Sequence, residues 1–323
     1  MEILKGESII ACAKEDLIAL SPDEQIAQLE QIENQKALVE QRVAVSGDTS
    51  AKVVLEISNP SQDSESRISS LEAYVESSPS DPIANLHFIY SCAASANSPV
   101  CNDEAVSRAI ASANGNSVVW AAIAQLRVSQ NDLSGAAVAM RNAASSNMFE
   151  DFYGAYLDNI RNHVPIEENE PTISRLEKTL SISNLANRFT GRNLLSLASF
   201  CSEAGSTDTD VANACIQFGS IAAEKSSTLV TKMAALALLA ATHNALGNES
   251  ESESFNIEAT NLNKMVSDQS LHSAFNLMSF DDNLADSWFH MLTVEGEEVA
   301  MEYIVTEATA LSQDPSYDPC PVN

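Results

Sequence analysis

Residues 117–146, SVVWAAIAQLRVSQNDLSGAAVAMRNAASS, decide the fold of this chain. Each half of the stretch places alanine and larger apolar residues three or four positions apart, which is the spacing of one helix face. The turn-forming pair Asn131-Asp132 separates the two halves. The stretch therefore predicts two helices, Ser117–Ser129 and Leu133–Ser146, joined by a tight turn.

The rest of the chain extends this pattern. It has 323 residues with only 10 glycines and 10 prolines, and alanine recurs in runs such as Met233–Ala241. Alanine is the best helix former, and glycine and proline are the main helix breakers, so we expect an all-α protein. Short helices alternate with short turns from Ile68 to Leu311. Val53–Ile57 is the one run that reads as a strand.

Changes in composition divide the sequence into four parts. Residues 1–60 form an N-terminal helical segment that includes the strand-like run. Residues 61–66, which are polar, are predicted to be a linker. Residues 67–311 form a helical repeat domain, and residues 312–323, with three prolines, form an irregular tail.

The pattern around Trp120 resembles a tetratricopeptide repeat. Trp120 is the large residue, Ala124 is the small residue of the first helix, and Ala136 and Ala143 are the small residues of the second. Arg127 stands where the family usually has tyrosine, and Met148 where it usually has proline. Weaker copies begin at Leu86 and Leu236. The resemblance implies antiparallel helical hairpins stacked as an α-solenoid.

The same resemblance implies a function and a site. In this family the first helices of the hairpins line a concave surface that binds a protein or a peptide. The corresponding groove residues in this sequence are His87, Ser91, Val118, Ala121, Gln125 and Val128. Most of these side chains are small or apolar, so the alternative is that another helix or another chain covers them.

Six cysteines lie at positions 12, 92, 101, 201, 215 and 320, and their spacing does not match zinc ligands. Cys92 and Cys101 flank a predicted turn, and so do Cys201 and Cys215. Two pairs in similar hairpin positions predict two local disulfides, although buried thiols without bonds are an alternative. Disulfides would place the protein in a periplasm or another extracytoplasmic compartment. No signal peptide is visible, so a cytoplasmic location stays open.

Charge and hydropathy exclude several kinds of partner. The chain has 17 basic and 45 acidic residues and a net charge of −28, which repels the phosphates of nucleic acids and of anionic lipids. The longest apolar run ends at Thr242, so we expect no transmembrane segment. Cys12 follows Ile9-Ile10-Ala11, which resembles a lipoprotein cleavage box and suggests a lipid anchor.

The leading hypothesis is a non-catalytic scaffold in the cell envelope that needs no cofactor and no metal. No phosphate loop, nucleophile elbow or dinucleotide-binding motif is present in the sequence. One alternative is a helical enzyme or small-molecule receptor with a pocket between the two halves of the chain, near the break at Val164-Pro165. It would be favoured if His163 or His243 met a carboxylate in a closed cavity. The other alternative is a structural lipoprotein anchored through Cys12.

Overall fold

A computed structural model of the chain describes residues 9–10, 34, 37–58, 63–165, 176, 178–180, 194–204 and 206–320. All regular elements in these ranges are helices, and the only β pairing there is an isolated bridge between Asn116 and Met148. The all-α prediction is confirmed. In the same ranges, no helix combines the length and the apolar character needed to cross a membrane.

Thirteen helices with defined bounds are numbered here in chain order, and residues 37–46 and 194–204 are also helical. The bounds are α1 Thr49–Ile57, α2 Ser64–Ser77, α3 Pro82–Ala94, α4 Asp103–Ser112, α5 Ser117–Ser129, α6 Leu133–Ser145, α7 Tyr153–Arg161, α8 Thr209–Lys225, α9 Leu229–Ala245, α10 Glu249–Val266, α11 Gln269–Met278, α12 Asp282–Glu295 and α13 Glu297–Gln313.

The chain divides into two compact units that are interleaved in sequence. Unit 1 contains Met1–Asp48, Tyr153–Ser183 and Asn263–Asn323, and unit 2 contains Thr49–Phe152 and Asn184–Leu262. Each unit therefore draws on segments that are far apart in the sequence. The four sequence parts predicted above do not describe this division, because contacts between distant segments define it.

The α5–α6 hairpin of unit 2 has the predicted form. Asn116 caps α5 by accepting a hydrogen bond from the Val118 N–H, and its side-chain amide donates to the Glu150 carbonyl at 2.9 Å. Asp132 caps α6 by accepting a hydrogen bond from the Gly135 N–H at 2.8 Å. These caps satisfy amide groups at both helix starts and so fix where the helices begin.

Four further helices surround α3 in unit 2, since α1, α2, α4 and α5 all pack against it. The α6 helix packs on α5 and α8, and α8 packs on α9. Gly219 allows the close approach of α8 and α9, because a Cβ at this position would lie 2.9 Å from the Leu239 side chain. The core of unit 2 therefore runs through successive helix pairs.

The predicted strand at Val53–Ile57 is wrong, since these residues lie in α1. Val53, Val54 and Leu55 are consecutive in sequence, and all three are buried. A short run that is apolar on every side fits a buried strand or a buried helix equally well. As a helix, this run buries its apolar side chains against α2 and α3. The described residues contain no strand with which it could pair in a sheet.

The predicted linker and tail are both shorter than expected. Asp63 caps α2, which begins at Ser64, so residues 64–66 are helical. Residues 61 and 62 lie outside the described residues. At the other end α13 extends to Gln313. The Tyr317 hydroxyl then donates a hydrogen bond to Asp281 at 2.6 Å, which attaches the following residues to the start of α12.

In unit 1, α12 packs against α7 and α13, and α11 packs against α13. Gly154 lies where α7 meets α12, and a Cβ there would overlap the Thr293 carbonyl oxygen. Arg161 joins the same two helices through an ion pair with Asp286 at 2.7 Å, and its guanidinium lies 4.4 Å from the centre of the Phe289 ring. The sequence did not predict α11.

Candidate functional site

Both predicted disulfides are present. Cys92 is bonded to Cys101 with 5.4 Å between their Cα atoms, and Cys201 is bonded to Cys215 with 5.8 Å. All four residues are buried. The first bond connects the C-terminal part of α3 to the turn before α4, and the second connects the helix of residues 194–204 to α8. Cys320 is also disulfide-bonded, which the sequence reasoning did not predict. Cys12, the suggested lipid-anchor position, lies outside the described residues.

The groove predicted from the repeat resemblance is not an open surface. His87, Ser91, Val118 and Ala121 are buried. His87 and Ser91 lie on α3, which packs against α1, α2, α4 and α5, and Val118 and Ala121 lie on α5, which packs against α3, α4 and α6. Another helix of the same chain therefore covers these positions, as the alternative prediction had it. The remaining two predicted residues, Gln125 and Val128, are partly exposed.

His87 is a packing residue of the core. Burial, together with the nearby positive charge of Arg67, lowers the pKa of His87 to about 3. Its ring meets the Tyr90 ring edge-on, with 5.6 Å between centroids. The imidazole is therefore neutral at physiological pH and is out of reach of a partner.

A concave feature of unit 1 lies beside the helix of residues 37–46. It is a cleft of about 430 Å³ lined by Gln41, Arg42, Val45, Ser46 and His163. Val39 and Val43 hold the opposite face of this helix against unit 1, and both are buried. Leu38, Gln41, Arg42 and Val45, on the other side of this helix, are exposed.

That exposed face carries apolar side chains. Leu38 is 44% exposed and Val45 is 85% exposed, and they lie seven positions apart, which is two turns of one helix face. Gln41 and Arg42 lie between them on the same face. Large apolar side chains with this degree of exposure at a cleft favour a contact surface over an accidental exposure.

A histidine–carboxylate pair borders the cleft. His163 Nε2 lies 2.9 Å from Asp48 Oδ2, and since a carboxylate accepts, Nε2 carries the hydrogen. Only 11% of the His163 side chain is exposed. The bond joins segments 115 residues apart in sequence and fixes the imidazole orientation.

The neighbouring hydroxyl does not complete a nucleophilic arrangement. Ser46 Oγ donates to the Val43 carbonyl at 3.0 Å and accepts from the Asp48 N–H at 3.2 Å. Its hydroxyl therefore closes the end of the helix. The cleft contains a positioned imidazole, a carboxylate and a guanidinium, which suit hydrogen bonding to a polar ligand.

Sequence reasoning placed His163 in a candidate pocket but missed Arg42 and Val45. The spacing of Val39 and Val43 could have identified the buried face of this helix. Arg42 and Val45 lie off that face and are exposed. His243, the other candidate, has a ring contact with Phe255 at 5.5 Å. Within the described ranges, no group of three or more His, Cys, Asp or Glu side chains could hold a metal ion.

No protein-family model matches this chain, and the searches of curated proteins and of solved structures find no significant match. The tetratricopeptide resemblance therefore stays a prediction that rests on the residues around Trp120. The structure adds that Ala124, Ala136, Met140 and Ala143 are buried, whereas Trp120 is only partly buried. In the weaker copy that begins at Leu236, the second helix, α10, buries only Leu262.

Proposed function

We propose that this chain is a non-catalytic helical scaffold that binds a protein or a peptide in an extracytoplasmic compartment. The observation that supports the proposal most is the exposed face of residues 37–46, where Val45 lines the unit 1 cleft and Leu38 is exposed two turns earlier on the same face. Apolar side chains around a few polar groups are the usual composition of a recognition surface.

The compartment is supported by the cysteines. Cys92–Cys101, Cys201–Cys215 and the bond of Cys320 are disulfides, and such bonds persist mainly in oxidising compartments. A cytoplasmic location would expose them to reduction. The proposed site in the cell envelope therefore follows from the disulfides and not from any targeting motif.

Site-specific crosslinking tests the binding function. A photoreactive amino acid replaces Val45 in one variant and Ile257, which is 52% exposed on α10, in a control variant. We expect irradiation in the native host to give adducts of peptide or protein mass at position 45 and not at position 257. Identical adducts at both positions, or none at position 45, would contradict the proposal.

The second candidate function is a small-molecule receptor or enzyme, and the His163–Asp48 pair in the cleft favours it. This cleft lies within unit 1 and is open, since Val45 is 85% exposed at its border, so it differs from the closed pocket expected from sequence. The same crosslinking separates the candidates, because a small ligand gives an adduct of a few hundred daltons at position 45.

The third candidate, a structural lipoprotein, depends on a lipid-modified Cys12, and it competes with the disulfide of Cys320, since Cys12 is the one other cysteine of the chain outside the Cys92–Cys101 and Cys201–Cys215 bonds. Intact-mass analysis of protein from the native membrane fraction tests it. A lipid mass on the peptide that contains Cys12 would support anchoring, and an unmodified peptide would remove this candidate.

A further inference from the structure

We infer that the unit 1 cleft binds the C-terminal carboxylate of a partner peptide through Arg42, with apolar side chains of that peptide on Leu38 and Val45. The inference rests on the proposed peptide-binding function and names the group that is recognised.

Arg42 differs from the other arginines that the structure describes. Arg127 pairs with Asp103, Arg141 with Asp208 and Arg161 with Asp286. Two more have other partners: the charge of Glu56 acts on Arg67, and Arg108 lies over the Phe88 ring. Arg42 forms no ion pair, hydrogen bond or ring contact within the described residues, although the chain has 45 acidic residues.

The missing partner is defined by the chemistry of the guanidinium. Its planar donors fit the two oxygens of a carboxylate, and Arg is the residue that most often makes such bidentate contacts. The nearby carboxylate of Asp48 already accepts a hydrogen bond from His163. An arginine that lines a cleft without an internal acid therefore favours an acid supplied by a ligand.

The neighbours of Arg42 determine which kind of acid fits. Leu38 precedes Arg42 by four residues and Val45 follows it by three, so apolar side chains lie about 6 Å before it and about 4.5 Å after it along the helix axis. A peptide C-terminus carries a carboxylate and an apolar side chain on one residue. An Asp or Glu side chain lacks the apolar group, and a phosphate lacks it too and has more negative charge.

The net charge of −28 opposes any anionic ligand, but only over a limited range. At physiological salt the screening length is about 8 Å, so distant carboxylates contribute little at the cleft. A single negative charge in direct contact with Arg42 is attracted more strongly than it is repelled by the screened remainder.

Fluorescence anisotropy with two matched peptide pools tests the inference on the full chain. Both pools have randomised positions followed by Leu, Val or Phe, and they differ only in ending as a free carboxylate or as an amide. We expect the wild-type chain to bind the carboxylate pool about tenfold more tightly, as for a charge-assisted hydrogen bond. Arg42→Gln should abolish that preference, and Arg42→Lys should keep part of it.

Arg141→Gln is the matched control, because it removes an exposed arginine from unit 2, and it should leave the preference unchanged. Arg42 is exposed, so Arg42→Gln should melt like the wild-type chain. Equal affinity for the two pools would overturn the carboxylate inference. If Val45→Ser then lowers the affinity for both pools, the proposed peptide-binding function is still supported. Absence of binding by either pool would contradict both. Binding of decanoate without peptide binding would assign the site to free fatty acids and also overturn the inference.

Discussion

The helices α3 and α10 show how differently two helices of one chain can be used. In α3, eleven of the thirteen residues are buried, including the polar residues Asn85, His87 and Ser91. In α10, eighteen residues long, only Leu262 is buried. Both helices were predicted from sequence. A local sequence pattern therefore identifies a helix, whereas the number of helices packed around it decides whether its side chains are buried or exposed.

The polar residues of α3 are accommodated by partners. The Asn85 amide donates to the carbonyls of Asp81 and Pro79 at 2.7 and 3.1 Å, so burial does not leave its donors unsatisfied. In α10 the Ser252 hydroxyl bonds the Ala240 carbonyl, while the four glutamates face solvent. A helix this exposed contributes little to a core and much to surface charge.

The largest expected difference comes from truncating one side chain in each helix. Phe88 in α3 is 1% exposed, and Phe88→Ala should lower the free energy of unfolding by about 3 to 5 kcal/mol. Ile257 in α10 is 52% exposed, and Ile257→Ala should change it by less than about 0.5 kcal/mol. Denaturant unfolding measures both. A large loss for Ile257→Ala would show that α10 is covered in solution.

A disulfide joins the end of α3 to the turn that follows it, whereas α10 contains no cysteine. Replacing Cys92 and Cys101 together by serine should cost about 3 kcal/mol, because a small loop is released in the unfolded chain. Peptide mapping without reductant should recover the Cys92–Cys101 and Cys201–Cys215 pairs and a third linked peptide that contains Cys320. Free thiols at all these positions would remove the argument for an oxidising compartment.

His87 should make stability depend on pH. Its folded pKa of about 3 lies below its ordinary value of 6.5, so the unfolded chain binds a proton first as the pH falls. The contribution of the neutral His87 to the free energy of unfolding is complete above pH 6.5 and is lost progressively between pH 6.5 and 3. The free energy of unfolding should therefore fall by about 2 kcal/mol between pH 7 and pH 5. His87→Gln should flatten the difference in unfolding free energy between these pH values. Parallel pH profiles for the two proteins would contradict a buried neutral imidazole.

The smallest expected loss of stability comes from substitutions at the N-terminal ends of α3 and α10. Asp81 accepts hydrogen bonds from the N–H groups of Ile83 and Ala84 at the start of α3. Asp81→Ala should therefore cost about 1 kcal/mol. Glu249→Ala, at the exposed start of α10, should cost a few tenths of a kcal/mol through the helix dipole alone. Thermal melting compares them, and equal losses would mean that the cap of α3 contributes nothing of its own.

Much of the fold could be predicted because helix signals are local. The bounds of α5 and α10 agree with their predicted bounds, since a capping residue or a Gly-Asn turn marks each start. The strand error at Val53–Ile57 and the missed α11 arose where apolar runs are short and burial decides the outcome. Local propensity has little weight in such segments.

The site was less predictable than the fold. The groove residues His87 and Ser91 are buried because the helices that cover α3 include α1, which the sequence pattern indicated as a strand. Val118 and Ala121 lie on α5, which packs against α3, α4 and α6. The contact between His163 and Asp48 spans 115 residues, and no local pattern encodes it. The disulfides were predictable because their partners lie only 9 and 14 residues apart.

The interleaving of the two units has a consequence for synthesis. Unit 2 has its full sequence once Leu262 has been translated, whereas unit 1 still needs Asn263–Asn323, which contains α11, α12 and α13. Residues 37–48 and Tyr153–Ser183, which emerge from the ribosome earlier, must then remain without this last segment of unit 1 until all of unit 2 is made. Unit 2 can therefore fold first during translation, and a chain that stops early loses the surroundings of Arg42 before it loses the core around Phe88.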